Sequence, residues 1–130
     1  MGKHQLIKVA AMLQAGPHPV VTTQEISELA GHAKVEQTWD LIKRLKRNRV
    51  IGQVPRMKGI YGLFGRAISR HDIVDAWLRC HPLQGRVVNP QHHLDRSGIP
   101  VPLVEVTLHA RPKGLQHYAI VSRVRNLHQG

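Results

Sequence analysis

The stretch VVTTQEISELAGHAKVEQTWDLIKRLKRNRVIGQVPRMKGIYGLF, Val20 to Phe64, changes its hydrophobic period several times, and those changes divide it into elements. Val20 and Val21, just after Pro19, suit a short edge strand. Thr23 is placed to cap a helix from Gln24 to Ala30, its hydroxyl accepting the Ile26 N–H, with Glu25 in the positive first turn and Gly31 as the stop. From Ala33 to Arg47 the apolar residues Val35, Trp39, Ile42 and Leu45 recur at helical spacing, while Lys34, Gln37, Asp40, Lys43, Arg44 and Lys46 fall off that stripe. This predicts a further helix with Trp39 buried. Val50 to Val54 and Ile60 to Phe64 then read as strands, and Pro55-Arg56-Met57-Lys58-Gly59 between them as a hairpin tip carrying two cations.

Working outward, Lys3 to Ala15 places Leu6, Val9, Ala10 and Leu13 on one helical face and stops at Gly16-Pro17. Three helices and a hairpin therefore fill residues 1–65. In residues 66–130, Ser69 with Asp72 makes an approximate capping box for a helix to about Arg79, with Ile73, Val74, Trp77 and Leu78 on its inner face. Pro82, Pro90 and Pro100 make the next stretch mainly loop, with a short extended piece at Arg86 to Val88. Leu103 to His109 and Leu115 to Arg125 are β-rich and flank Arg111-Pro112-Lys113-Gly114, which predicts a C-terminal hairpin. An isolated hairpin is too small to stand alone, so pairing with a second copy is expected, giving a homodimer. The fold class is α+β.

Composition narrows the partner. The 130 residues carry 19 Lys and Arg against 8 Asp and Glu, a formal charge of +11, which favours polyanions. From Leu41 to Arg70 the basic residues are Lys43, Arg44, Lys46, Arg47, Arg49, Arg56, Lys58, Arg66 and Arg70, with no acidic residue among them. Cys80 is the only cysteine, which excludes an intrachain disulfide and suits a reducing compartment. No apolar run is long enough to span a bilayer, and MGKHQLIKVAAMLQAGPHP makes no convincing signal peptide, so a cytoplasmic protein with no membrane partner is expected.

With these residues in view, VVTTQEISELAG, the Val35 to Leu45 helix and VIGQVPRMKGIYGLF resemble the winged helix-turn-helix of bacterial and mobile-element transcription regulators, over about half of the chain. Thr23, Gly31, Leu45, Val50, Ile51, Gly59 and Tyr61 match that pattern. Asn48-Arg49 departs from it where many members end the helix on Gly, and Asn48 is the residue expected to take the left-handed conformation. The resemblance implies that the third helix enters the major groove, where Lys34, Gln37, Thr38 and Leu41 meet bases, and that the hairpin touches backbone or minor groove through Arg56 and Lys58. Lys43, Arg44, Lys46 and Arg47 complete the expected DNA face. The implied function is a sequence-specific, duplex-DNA-binding transcription regulator, acting as a repressor. The alternative is an accessory module of replication, partition, conjugation or RNA binding whose second half docks another protein.

Trp39 and Trp77 lie on apolar stripes and are expected in the core, as are Tyr61 and Phe64. Cys80, His81, His92, His93 and Asp95 invite a metal reading, but their spacing lacks the short paired gaps of zinc sites. The acids of the second half are scattered, no Gly-rich phosphate loop is present, and Cys80 with His81 falls at a helix end with no third orienting group legible in the sequence. No catalytic residue, metal or cofactor is expected, and the protein is not expected to be an enzyme.

Overall fold

A computed structural model describes residues 2–32, 34–82, 84–88, 93–107 and 113–123. The chain is α+β and divides into two compact units, Met1–Ile68 and Ser69–Gly130. Among the described residues no helix is long and apolar enough to cross a membrane.

The first unit runs α1 (Gly2–Ala15), β1 (Val20–Thr22), α2 (Thr23–Ala30), α3 (Val35–Arg47), β2 (Ile51–Gln53) and β3 (Ile60–Leu63). The strands form one antiparallel sheet in the order β1-β3-β2, with Val21 opposite Tyr61 and Gly52 opposite Gly62. Val9 and Leu13 of α1, Val21 of β1, Ile26 of α2, and Leu41, Ile42 and Leu45 of α3 share one apolar core with Ile51, Tyr61 and Leu63. Burial of these side chains is what holds six short local elements in one arrangement, since none is long enough to persist alone.

The start of α2 lies one residue earlier than the sequence suggests. Thr22, not Thr23, is its N-cap, with its hydroxyl accepting the Glu25 N–H at 3.2 Å. Thr23 is engaged elsewhere, because its N–H donates to the Gly59 carbonyl at 3.0 Å and ties the helix to the end of the β2–β3 loop. Gly31 ends α2 as expected, at φ 67, with the Gly31 N–H on Glu28 O and the His32 N–H on Ser27 O.

The second unit contains α4 (Arg70–Cys80), β4 (Gly85–Val88), β5 (Leu103–Val106), a 3-10 turn at Leu115–His117 and β6 (Ile120–Arg123). Ser69 and Asp72 form the full reciprocal capping box of α4, and Ile73, Val74, Ala76 and Trp77 are its buried residues. The expected C-terminal hairpin does not form. β5 pairs antiparallel with β4 and parallel with β6, Val104 facing Val121, in the order β4-β5-β6. Gly114, read from the sequence as the end of a turn, has φ 84, and the 3-10 turn that follows it occupies Leu115–His117, which were read as strand, with Leu115 fully buried there. β6 thus begins only at Ile120, after a connection long enough for the dozen or so residues that a parallel crossover needs. Leu108, His109, Arg111, Pro112, Val124 and Arg125 of the expected hairpin lie outside the described residues. The sheet contacts for which a second copy was invoked are supplied by β4 of the same chain.

In the loop between β4 and β5, the Asp95 carboxylate accepts the N–H groups of Ser97 and Ile99 at 2.8 and 2.9 Å and pairs with Arg70 at 3.0 Å. The Ile99 N–H, first among these causes, holds the Asp95 carboxyl below its ordinary value. A carboxyl depressed in the folded state stabilises the fold above its unfolded pKa and loses that contribution as pH falls through the lower folded value. Acid titration of Asp95→Asn should therefore show less loss of stability below about pH 4 than the parent chain shows. Identical acid denaturation curves would remove Asp95 from this role.

Candidate nucleic-acid interface

α3 carries the charge. Its buried side is Thr38, Leu41, Ile42 and Leu45, while Lys43, Arg44, Lys46 and Arg47 are exposed on its last turns. Cations at a helix C-terminus complement the helix dipole, which accounts locally for Arg44, Lys46 and Arg47 standing there. Glu36 and Asp40 are exposed nearer the N-terminal end.

The helix ends in the bond pattern that closes α2. The Arg49 N–H donates to Lys46 O at 3.1 Å and the Val50 N–H to Leu45 O at 2.9 Å. The left-handed position belongs to Arg49, at φ 55, and not to Asn48, which sits at φ −90. The Asn48 amide instead donates to the Arg44 carbonyl at 2.8 Å, so Asn48 satisfies a helix-end acceptor while the next residue turns the chain. A non-glycine residue in that conformation costs about 1–2 kcal/mol, part of which glycine gives back through its freer unfolded chain. Arg49→Gly should raise the stability of the first unit by up to about 1 kcal/mol in urea denaturation, and an equal or lower midpoint would contradict the strain.

Two of the four residues expected at base edges are not available to a ligand. Thr38 is 1% exposed and Leu41 is 5% exposed. Thr38 is buried because its hydroxyl has a partner: His32 Nδ1 lies 2.9 Å from Thr38 Oγ1. On the far side of that ring Gln5 Nε2 lies 2.9 Å from His32 Nε2 and donates to the Ala30 carbonyl at 3.2 Å. The amide donor assigns an acceptor role to Nε2 of the neutral ring and the proton to Nδ1, which then donates to Thr38. The three side chains link α1, the end of α2 and α3. Lys34, the N-cap residue of α3, and Gln37 in its first turn are exposed.

Trp39 and Val35 are the converse case. Expected in the core, they are 56% and 50% exposed. Phe64, also expected to pack inward, is exposed, with its ring against Gly52, whereas Tyr61 and Trp77 are buried as expected. The period of α3 allowed either side to be buried. Thr38, Leu41, Ile42 and Leu45 keep helical spacing as well as the stripe through Val35 and Trp39 does, and His32 six residues before Thr38 supplies the polar partner.

The β2–β3 loop holds its two cations outward by burying the residue between them. Met57 is 2% exposed, and Arg56 and Lys58 on either side of it are exposed. The Met57 N–H donates to Val54 O and the Ile60 N–H to Met57 O, making two successive turns whose third residues, Arg56 and Gly59, have φ 64 and 81. Gln53 Nε2 lies 2.9, 2.6 and 3.2 Å from the carbonyls of Val54, Met57 and Ile60, which stiffens the tip. Lys46 Nζ sits 5.2 Å from the centre of the Tyr61 ring, placing the end of α3 beside β3.

In structure the chain is similar to the crystal structure of the RV2827C protein from Mycobacterium tuberculosis, with a TM-score of 0.61 and 23% identity over 93% of this chain and 45% of that one. The chain thus spans less than half the length of that protein, and the likeness is one of fold alone. No family model and no curated protein matches the sequence.

Two of the nine basic residues between Leu41 and Arg70 have other work. Arg66 donates to the carbonyls of Gly16 and His18 at 2.8 and 3.2 Å, fixing the α1–β1 turn, and Arg70 pairs with Asp95. A cleft of about 300 Å³ between α1, the His18 turn and α2 has Glu25 and Glu28 in its wall, so it does not extend the cationic surface. Among the described residues no group of three or more His, Cys, Asp and Glu is arranged to hold a metal, and His92 lies outside them.

Proposed function

We propose that the first unit is a winged helix-turn-helix that binds duplex DNA, and that the chain is a sequence-specific transcription regulator acting as a repressor. In this reading α2 supports α3, α3 enters the major groove, and the β2–β3 hairpin is the wing. The observation that carries it is the set of exposed cations Lys43, Arg44, Lys46 and Arg47 on α3, in the same compact unit as Arg56 and Lys58 on a stiffened hairpin tip. A helix fits the major groove, and phosphates flank that groove on both sides, so cations on a helix end and on a neighbouring loop meet the backbone together. Lys34 and Gln37, exposed at the start of α3, are of residue types that bond guanine and adenine edges. Binding as a homodimer would double the contact of one reading helix per chain and match a two-fold site.

Selection of bound sequences from a random duplex pool, followed by competition against random DNA at several salt concentrations, tests the reading. A preference on the order of a thousandfold or more for the enriched duplex is expected. Equal affinity for all duplexes would leave a general nucleic-acid-binding accessory protein instead. Failure to bind any duplex at low salt would overturn DNA binding itself, and sedimentation of the complex gives the number of chains bound.

A further inference from the structure

We infer that Val35 and Trp39 contact thymine methyl groups in the major groove, as specificity-determining residues of the DNA-binding face; the inference rests on the reading proposed above. The two side chains are half exposed, at 50% and 56%, one turn apart on a helix whose opposite side is closed by Thr38, Leu41, Ile42 and Leu45. At 3.6 residues per turn, Val35, Trp39, Lys43 and Lys46 lie along one stripe of α3. That stripe is apolar over the first two turns and cationic over the last two. Lys46, above the Tyr61 ring, puts its cationic end beside β3.

The apolar pair has the exposed acids Glu36 and Asp40 beside it and Lys43, Arg44, Lys46 and Arg47 on the turns that follow, so the exposed side of α3 is cationic on balance and selects its partner by charge. A second copy docked in parallel on the same patch would bring Lys43, Lys46 and Arg47 of two chains together, and like charges in one interface oppose association. A duplex answers both halves of the stripe. Its phosphates neutralise the cations, and the thymine C5-methyl is the apolar group that base pairs present in the major groove. The Trp39 indole N–H can at the same time donate to an acceptor on a base edge.

The test uses the full chain and the duplex enriched from the random pool. Each thymine of that site is replaced in turn by deoxyuridine, which removes the methyl and keeps the base pairing. One or two positions should lose about fourfold in affinity, the value of one buried methyl. Trp39→Ala and Val35→Ala, checked for folding by circular dichroism, should bind the enriched duplex about ten- to a hundredfold more weakly, lose little on random DNA, and no longer respond to deoxyuridine at those positions. Trp39→Leu should restore part of the methyl dependence. Sequence-specific binding with no deoxyuridine effect, or a methyl dependence unchanged in both Ala variants, overturns this inference and leaves the DNA-binding reading standing. A Trp39→Ala variant with altered sedimentation and undiminished preference for the enriched duplex overturns it in favour of contact between copies. Failure of the parent chain to bind any duplex overturns it together with the reading beneath it.

Discussion

Leu45→Ala should unfold most of the first unit, and Trp39→Ala should leave it folded. Leu45 has no exposed surface and sits in the core shared by α1, α2, α3 and the sheet. Truncating a leucine so placed removes its transfer energy and leaves a cavity, at a cost of about 2–5 kcal/mol. A unit of this size has about 3–10 kcal/mol of stability in all, so that loss takes a large share of it. Trp39 is more than half exposed, and a surface truncation is worth about 0.5 kcal/mol or less. Urea denaturation of both variants, followed by circular dichroism, separates the two cases. A Leu45→Ala protein as stable as its parent, with Trp39→Ala unfolded, would mean that α3 buries its other side.

Replacing Lys43, Arg44, Lys46 and Arg47 together by Gln should lower affinity for every duplex, with little change in preference among sequences. Each phosphate contact contributes about 0.9 to the slope of log affinity against log salt, so four contacts are worth on the order of a thousandfold at 0.1 M salt. The slope should fall by up to about four. Loss of Arg44, Lys46 and Arg47 from the last turn of α3 also removes favourable dipole interactions of about 0.3–1 kcal/mol each, so folding is checked first. Arg56→Ala with Lys58→Ala should act in the same direction with a slope change of about one to two. Lys34→Ala with Gln37→Ala should instead cost about 1–3 kcal/mol on the preferred duplex and little on random DNA. A fourfold Gln variant that folds and keeps both its affinity and its salt slope would take α3 out of the interface.

The residue sequence by itself determined the elements of Met1–Ile68, their order and most of their ends, and α4 at the start of the second unit. Those depend on neighbours in the chain: Gly31 for the left-handed stop of α2, Ser69 and Asp72 for the cap of α4, and the Pro55 to Gly59 turns between two β-branched runs. The charge that points to a polyanion is equally local, because nothing folds between the cations of α3 and those of the β2–β3 loop except the short strand β2. Only the tertiary structure decided which side of α3 is buried. Two stripes share Ile42 and Leu45, and hydrophobicity alone ranks Trp39 above Thr38 for the core. The choice is made by His32 and Gln5, which give the Thr38 hydroxyl a partner and remove the cost of burying it, leaving Trp39 outside. The same holds for β5. Its alternation identifies a strand but not its neighbours, and the pairing with β4 on one side and parallel β6 on the other depends on how Leu115 packs and where Gly114 turns the chain. Contacts between residues distant in sequence set both outcomes, and a local period contains no record of them.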